Sequence, residues 1–343
     1  MHKRRWMAVG VCTLTIAVAA SVGPAVMPEP VDAAVTTPSL TATTLASQIS
    51  GASRSNSVGL IQPTLKEVLS KAAWRFVGLS QLSLDCNPRV SPSIVSSPIP
   101  CTFGPSTATR TVALVGASHA GMWLSAFIAM ANQDNFRLKT FIYAGCPPVM
   151  MDFTTGLIRF DGQVVSAQSC KEWNANVAGQ VNALNPDVVI VGGGTEAATS
   201  VAATFNQYTA GMTSFVSRFN APTKIILGST VFRTSTQETA RCLNGHISTV
   251  TACNNLYNGF NAKDPTTILL RRDQQVATAT GSRLVPLISL TCTPSIKSKP
   301  VAVCPPVVNH RLVYTDGSHL SDSYVSYVTP VFRSLLNAAL NPQ

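Results

Sequence analysis

Two short apolar runs constrain this chain more than any other feature. Thr111-Val-Ala-Leu-Val115 and Asp187-Val-Val-Ile-Val191 show no polar/apolar alternation. Continuous runs of this kind mark strands buried on both faces, as in parallel sheets covered by helices on either side. The intervening sequence agrees. Helical stretches are expected at 120–132, 171–184, 202–218 and 260–280, and further strands at 138–143, 224–227 and 283–288. A last helix is expected at 322–340, with Ser321 as its N-cap. Strand–helix alternation predicts an α/β fold, a three-layer α/β/α sandwich around a mostly parallel five-stranded sheet of flavodoxin-like type. In such sheets the functional site lies at the carboxyl ends of the strands.

The N-terminus points to export. His2-Lys3-Arg4-Arg5 is basic, Met7 to Val26 is apolar, and Val31-Asp32-Ala33 offers small residues for cleavage. Residues 1–33 therefore read as a secretory signal peptide. An uncleaved N-terminal membrane anchor is the alternative, because the apolar run is long enough to span. Residues 34–60 are rich in Thr, Ser and Ala without a period, and read as a mobile linker. Residues 61–343 then form one domain. Its first helix is expected at 63–76, where Val68, Leu69, Ala72, Ala73 and Phe76 form an apolar stripe.

Cysteine spacing supports an oxidising compartment. Without Cys12, eight cysteines remain, in four neighbour pairs: Cys86–Cys101, Cys146–Cys170, Cys242–Cys253 and Cys292–Cys304. Each pair is expected to close a local loop as a disulfide. Cys242 and Cys253 bracket His246, but no metal-ligand motif is present, and no cofactor or metal is implied. The net charge of +10 is spread along the chain, with Arg271-Arg272 the one tight basic pair. No basic stripe with interleaved aromatics appears, which argues against nucleic acid. A basic exported protein suits an anionic envelope or glycan surface.

Three residues are candidates to carry chemistry. Ser118 follows the first buried strand in Val115-Gly-Ala-Ser-His-Ala120, on a strand-to-helix turn where backbone N–H groups can stabilise an oxyanion. A plain N-cap serine would look the same. Near the C-terminus, Tyr314-Thr-Asp-Gly-Ser-His-Leu-Ser321 sets Asp316 three residues before His319. That spacing can place a carboxylate on imidazole Nδ1 and leave Nε2 facing a nucleophile. Alone, it also arises in ordinary turns. The other mature histidines, His119, His246 and His310, lack such a carboxylate. Trp123, on the helix after Ser118, is either core packing or a wall for sugar stacking.

A serine after the first sheet strand, Asp-x-x-His before the last helix and parallel α/β between them resemble the SGNH (GDSL-type) hydrolase superfamily. The layout is most similar to the extracytoplasmic SGNH domain of bacterial membrane O-acyltransferases. Cys101-Thr-Phe-Gly104, Ala144-Gly-Cys-Pro-Pro148 and Pro186-Asp-Val-Val-Ile190 also carry the resemblance. It implies Ser118 as nucleophile, His319 as general base and Asp316 as the group orienting it. The Ser118 N–H and the N–H of Gly145 would serve as oxyanion donors. The implied activity is a secreted serine esterase or O-acyltransferase that removes or transfers acyl groups, acetyl by family analogy, on envelope carbohydrate. Its partners would be an acylated glycan or small ester and a membrane acyl donor.

Two departures stand out. Ala117 occupies the place of the family's usual Asp before the serine. Gly192-Gly193-Gly194-Thr195 occupies the place of the usual oxyanion Asn, so Gly193, Gly194 or Thr195 would substitute. These departures keep a second reading open, a catalytically weakened carbohydrate-binding or envelope-scaffold module on the same fold.

Overall fold

The computed structural model describes residues 39–70, 77–88, 94–152, 157–160, 163–193, 205–231 and 239–340. The expected signal peptide, residues 71–76 of the first expected helix, and Gly194 and Thr195 lie outside them. The described helices are α1 (Ala42–Ala52), α2 (Leu65–Ser70), α3 (Ser118–Gly121), α4 (Leu124–Gln133), α5 (Ala167–Ala183), α6 (Phe205–Ser217), α7 (Thr239–Gly245), α8 (Pro265–Thr280) and α9 (Asp322–Leu340). The strands of the central sheet are β1 (Cys101–Phe103), β2 (Arg110–Gly116), β3 (Phe136–Ile142), β4 (Val188–Gly192), β5 (Thr223–Leu227) and β6 (Arg283–Val285).

The sheet order is β1-β3-β2-β4-β5-β6. Strands β2 to β6 are parallel, as the apolar runs predict. The sheet has six strands rather than five, because β1 adds an antiparallel edge on β3. A three-residue edge strand has too little pattern to read from sequence. It runs from Cys101, whose disulfide to Cys86 fixes its start.

Both faces of the sheet are core, and alternate residues of one strand serve each face. Val112 and Leu114 of β2 pack with Trp123, Phe127, Val325 and Phe332 of α4, α9 and the turn before α4. Ala113 and Val115 pack on the other face with Trp173, Val177, Met212 and Val276 of α5, α6 and α8. This two-sided burial is the physical reason for unbroken Val/Ile/Leu text. Trp123 is fully buried, with its ring 4.6 Å from Phe332. It is therefore a core residue and not a sugar-stacking wall.

The linker reading fails for part of 34–60. Thr41 Oγ1 accepts the Thr44 N–H and caps α1, which buries Leu45 and Ile49 in the same cluster as α9. These two residues, one helical turn apart, are enough apolar surface to dock a Thr/Ser/Ala-rich helix. Ile49→Val is expected to cost about 1 kcal/mol through the lost methylene and the space it leaves. A denaturant midpoint measures this, and an unchanged midpoint would return the segment to a linker.

The expected helix at 120–132 is broken at Met122–Trp123 into α3 and α4. The expected strand at 283–288 stops at Val285, because Pro286 cannot donate to the ladder. Ser321 caps α9 by accepting the Tyr324 N–H. Disulfides join Cys86–Cys101, Cys146–Cys170, Cys242–Cys253 and Cys292–Cys304. Each links neighbours 11–24 residues apart, so the pairing follows from local loop closure.

Candidate active site

The turn after β2 is packed too tightly for side chains. A Cβ on Gly116 would lie 2.3 Å from the Gly192 carbonyl oxygen, and one on Gly192 would lie 2.6 Å from Ala120 Cβ. Glycine at both places lets β2, β4 and the start of α3 meet. Ser118 is the first residue of α3, buried at the carboxyl end of β2. Ala117, at the N-cap position, supplies no side-chain acceptor. The Ala120 and Gly121 N–H groups donate to the Ala117 carbonyl, so in α3 it is the N–H groups of Ser118 and His119 that can meet a ligand.

Asp316 and His319 form a self-contained turn before α9. Asp316 Oδ1 accepts the backbone N–H groups of Ser318 and His319, both at 2.8 Å. Its Oδ2 accepts from His319 Nδ1 at 2.7 Å. One carboxylate oxygen holds the turn while the other orients the ring. With Nδ1 as donor, Nε2 of the neutral ring carries the lone pair. Burial disfavours the Asp316 anion. The charge of His319 and these hydrogen bonds outweigh burial and hold the carboxyl well below its usual range.

The two halves of the site meet through His119. Its ring stacks on His319 with centroids 4.7 Å apart and planes at 25°. Ser118 therefore lies one residue from a ring that touches His319, across roughly 200 residues of chain. His119 is itself buried, and burial followed by the charge of His319 lowers its pKa to about 3. Asp316 and the Ser318 carbonyl oppose that shift without reversing it.

The shift has a stability consequence. Below the ordinary value of 6.5 the unfolded chain binds a proton that the folded chain refuses down to about 3. Stability is then lost as pH falls through that window, by up to about 1.4 kcal/mol per pH unit. Asp316 adds to the loss only below its unfolded value of 3.8. Denaturation midpoints measured between about pH 7 and pH 4 should show this slope, and His119→Phe should flatten it. An equal slope in the variant would exclude His119 as its source.

The sites flanking Ser118 are only partly described. Gly145 adopts φ +85° immediately before Cys146, which a disulfide ties to Cys170. Gly193 follows β4, and a Cβ there would lie 3.0 Å from Arg272 Nη2. Arg272 was not singled out as a site residue by its sequence. It lies buried on α8, where its Nε and Nη2 donate to Asp273 Oδ1 at 3.0 and 2.7 Å. Nη2 also donates to Ser229 Oγ at 3.0 Å, and Asp273 Oδ2 accepts the Ser229 N–H at 2.6 Å. This buried ion pair ties α8 to the loop after β5. Adjacent opposite charges on a helix ordinarily suggest a solvated face, so the only signal was their place in an otherwise apolar-striped helix.

A family model described as "SGNH domain (fused to AT3 domains)" matches residues 85–334. A search of curated protein sequences finds no match. Among solved structures, the chain is similar to the periplasmic domain of a lipopolysaccharide acetyltransferase from Salmonella ser. Paratyphi A. The identity is 13%, covering 69% of this chain and 85% of that one, with a TM-score of 0.49. It is also similar to a catalytic mutant of an acetylxylan esterase from Geobacillus stearothermophilus. There the identity is 12%, covering 67% of this chain and 94% of that one, with a TM-score of 0.37. The family match covers most of the chain, including Ser118, Asp316 and His319, and the protein belongs to the family of SGNH domains fused to AT3 domains.

Proposed function

We propose that this protein is a serine-dependent acyl hydrolase or O-acyltransferase acting on esters of envelope carbohydrate. The observation that carries this reading is the Asp316–His319 pair, stacked through His119 beside Ser118 at the carboxyl end of β2. Family membership supports the same chemistry class.

In this reading His319 Nε2 takes the Ser118 hydroxyl proton as Oγ attacks the ester carbonyl. The oxyanion is met by the Ser118 N–H, with Gly145 and Gly193 as further donors. Collapse releases the alcohol, which takes the proton back from His319, and leaves an acyl-enzyme. Water or a sugar hydroxyl then attacks the acyl carbon and gives its proton to His319, and collapse expels Ser118 Oγ, which takes that proton back from His319. Gly194 and Thr195 complete the candidate donor set. A glycan acetate, or a separate membrane protein that supplies acyl groups, is the proposed partner.

Four disulfides suit an oxidising compartment, which supports an extracytoplasmic location with or without an N-terminal anchor. No described helix is long and apolar enough to cross a membrane. The test is turnover of p-nitrophenyl acetate by the mature chain and by its Ser118→Ala variant. Wild-type turnover no faster than the variant's would overturn catalysis and favour the glycan-binding reading.

A further inference from the structure

Two buried polar side chains line one small cavity, and one of them is the His119 whose ring stacks on His319. His119 and Thr230 line it together with Met122, Gly193, Leu227 and Ser229, and it has room for a single water-sized group, about 10 Å3. Thr230 is fully buried, and its Oγ1 has no hydrogen-bond partner among the described residues. The Ser318 carbonyl faces the His119 ring. Even so, neither ring nitrogen makes a well-formed hydrogen bond among the described residues. Buried polar groups without partners are costly, and native folds keep them mainly where a ligand or an ordered water completes them.

The chemistry of the lining narrows the occupant. A neutral imidazole and a threonine hydroxyl each both donate and accept. A methyl group would leave both unmet, and a carboxylate or phosphate exceeds the space. A hydroxyl fits the volume and serves both partners at once. His119 also fixes where that hydroxyl sits, since its ring stacks on His319 and its backbone adjoins Ser118.

We propose that this cavity binds one hydroxyl of the substrate next to the ester attacked by Ser118, so that His119 and Thr230 select a polyol or sugar ester over a plain alkyl ester. This inference rests on the acyl-transfer reading above. A site built to bond a substrate hydroxyl rejects the analogue that lacks it, because its own buried groups are then left unpaired.

The test uses two esters that differ by one hydroxyl, trans-2-hydroxycyclohexyl acetate and cyclohexyl acetate. Wild type should prefer the hydroxylated ester in kcat/KM by on the order of 100-fold. Thr230→Val, which keeps the shape of the side chain, should cut that preference roughly tenfold. Equal turnover of the two esters by wild type, or a full preference in Thr230→Val, would overturn the proposal and leave a single structural water as the occupant. A binding arm separates this result from the catalytic reading. The Ser118→Ala protein, titrated with each ester and followed by NMR, should bind the hydroxylated one about tenfold tighter. Equal affinity, or no binding of either, overturns the cavity assignment whatever the turnover. Hydroxyl-dependent binding without wild-type turnover would keep the cavity and discard catalysis.

Discussion

Ser118→Ala is expected to lower turnover of p-nitrophenyl acetate by about 10,000-fold or more. The nucleophile in this reading forms the bond to the acyl group, and no described neighbour offers a second hydroxyl on the same turn. His319→Ala should cost a similar amount, because without a base to take its proton the Ser118 hydroxyl is a weak nucleophile. The double variant should be little worse than either single one, since the two groups act as a unit. Steady-state rates for the three variants check this. Additive losses, or substantial turnover in Ser118→Ala, would place the chemistry elsewhere. The residual rate of the variants reports what the oxyanion donors contribute alone, and so bears on Gly145 and Gly193.

Asp273→Ala is expected to destabilise the fold by about 3–5 kcal/mol, the usual cost of leaving a buried charge without its partner. Arg272 is 1% exposed, and Asp273 takes two of its N–H groups on Oδ1 while Oδ2 holds the Ser229 N–H. The variant thus takes the carboxylate from a buried guanidinium and the acceptor from a backbone N–H. Replacing the pair together, Arg272→Met with Asp273→Leu, should recover much of the loss, because buried ion pairs are often matched by apolar residues of similar volume. Denaturant midpoints for the single and double variants decide. A single variant as stable as wild type would mean that water reaches Arg272. Because Ser229 lines the cavity beside His119, the single variant should also slow turnover.

Local features were the legible ones. Strand-forming runs announce burial on both faces because residues 112–115 of β2 and 188–191 of β4 each meet a packed layer. The Asp316–His319 pair is three residues apart, so one turn suffices to join carboxylate to imidazole. The four disulfides close short loops and needed no long-range knowledge. Features that depend on remote partners were not legible. α1 is held against α9, more than 200 residues on, by Leu45 and Ile49 and by Gln48 accepting the Tyr327 hydroxyl, and its composition reads as a linker. The edge strand β1 spans three residues and takes its direction from β3.

By itself the sequence determined the parallel α/β layout, the loop staples and the identity of the three candidate catalytic residues. The layout and the staples depend on patterns within one element or one short loop, and the three residues on their joint occurrence and the family resemblance. Only the tertiary structure decided that His119 joins Ser118 to His319, that Trp123 is core, and that Arg272 and Asp273 are buried beneath the site. Ring stacking and desolvation arise between groups far apart in the chain, and neither leaves a periodic trace along it.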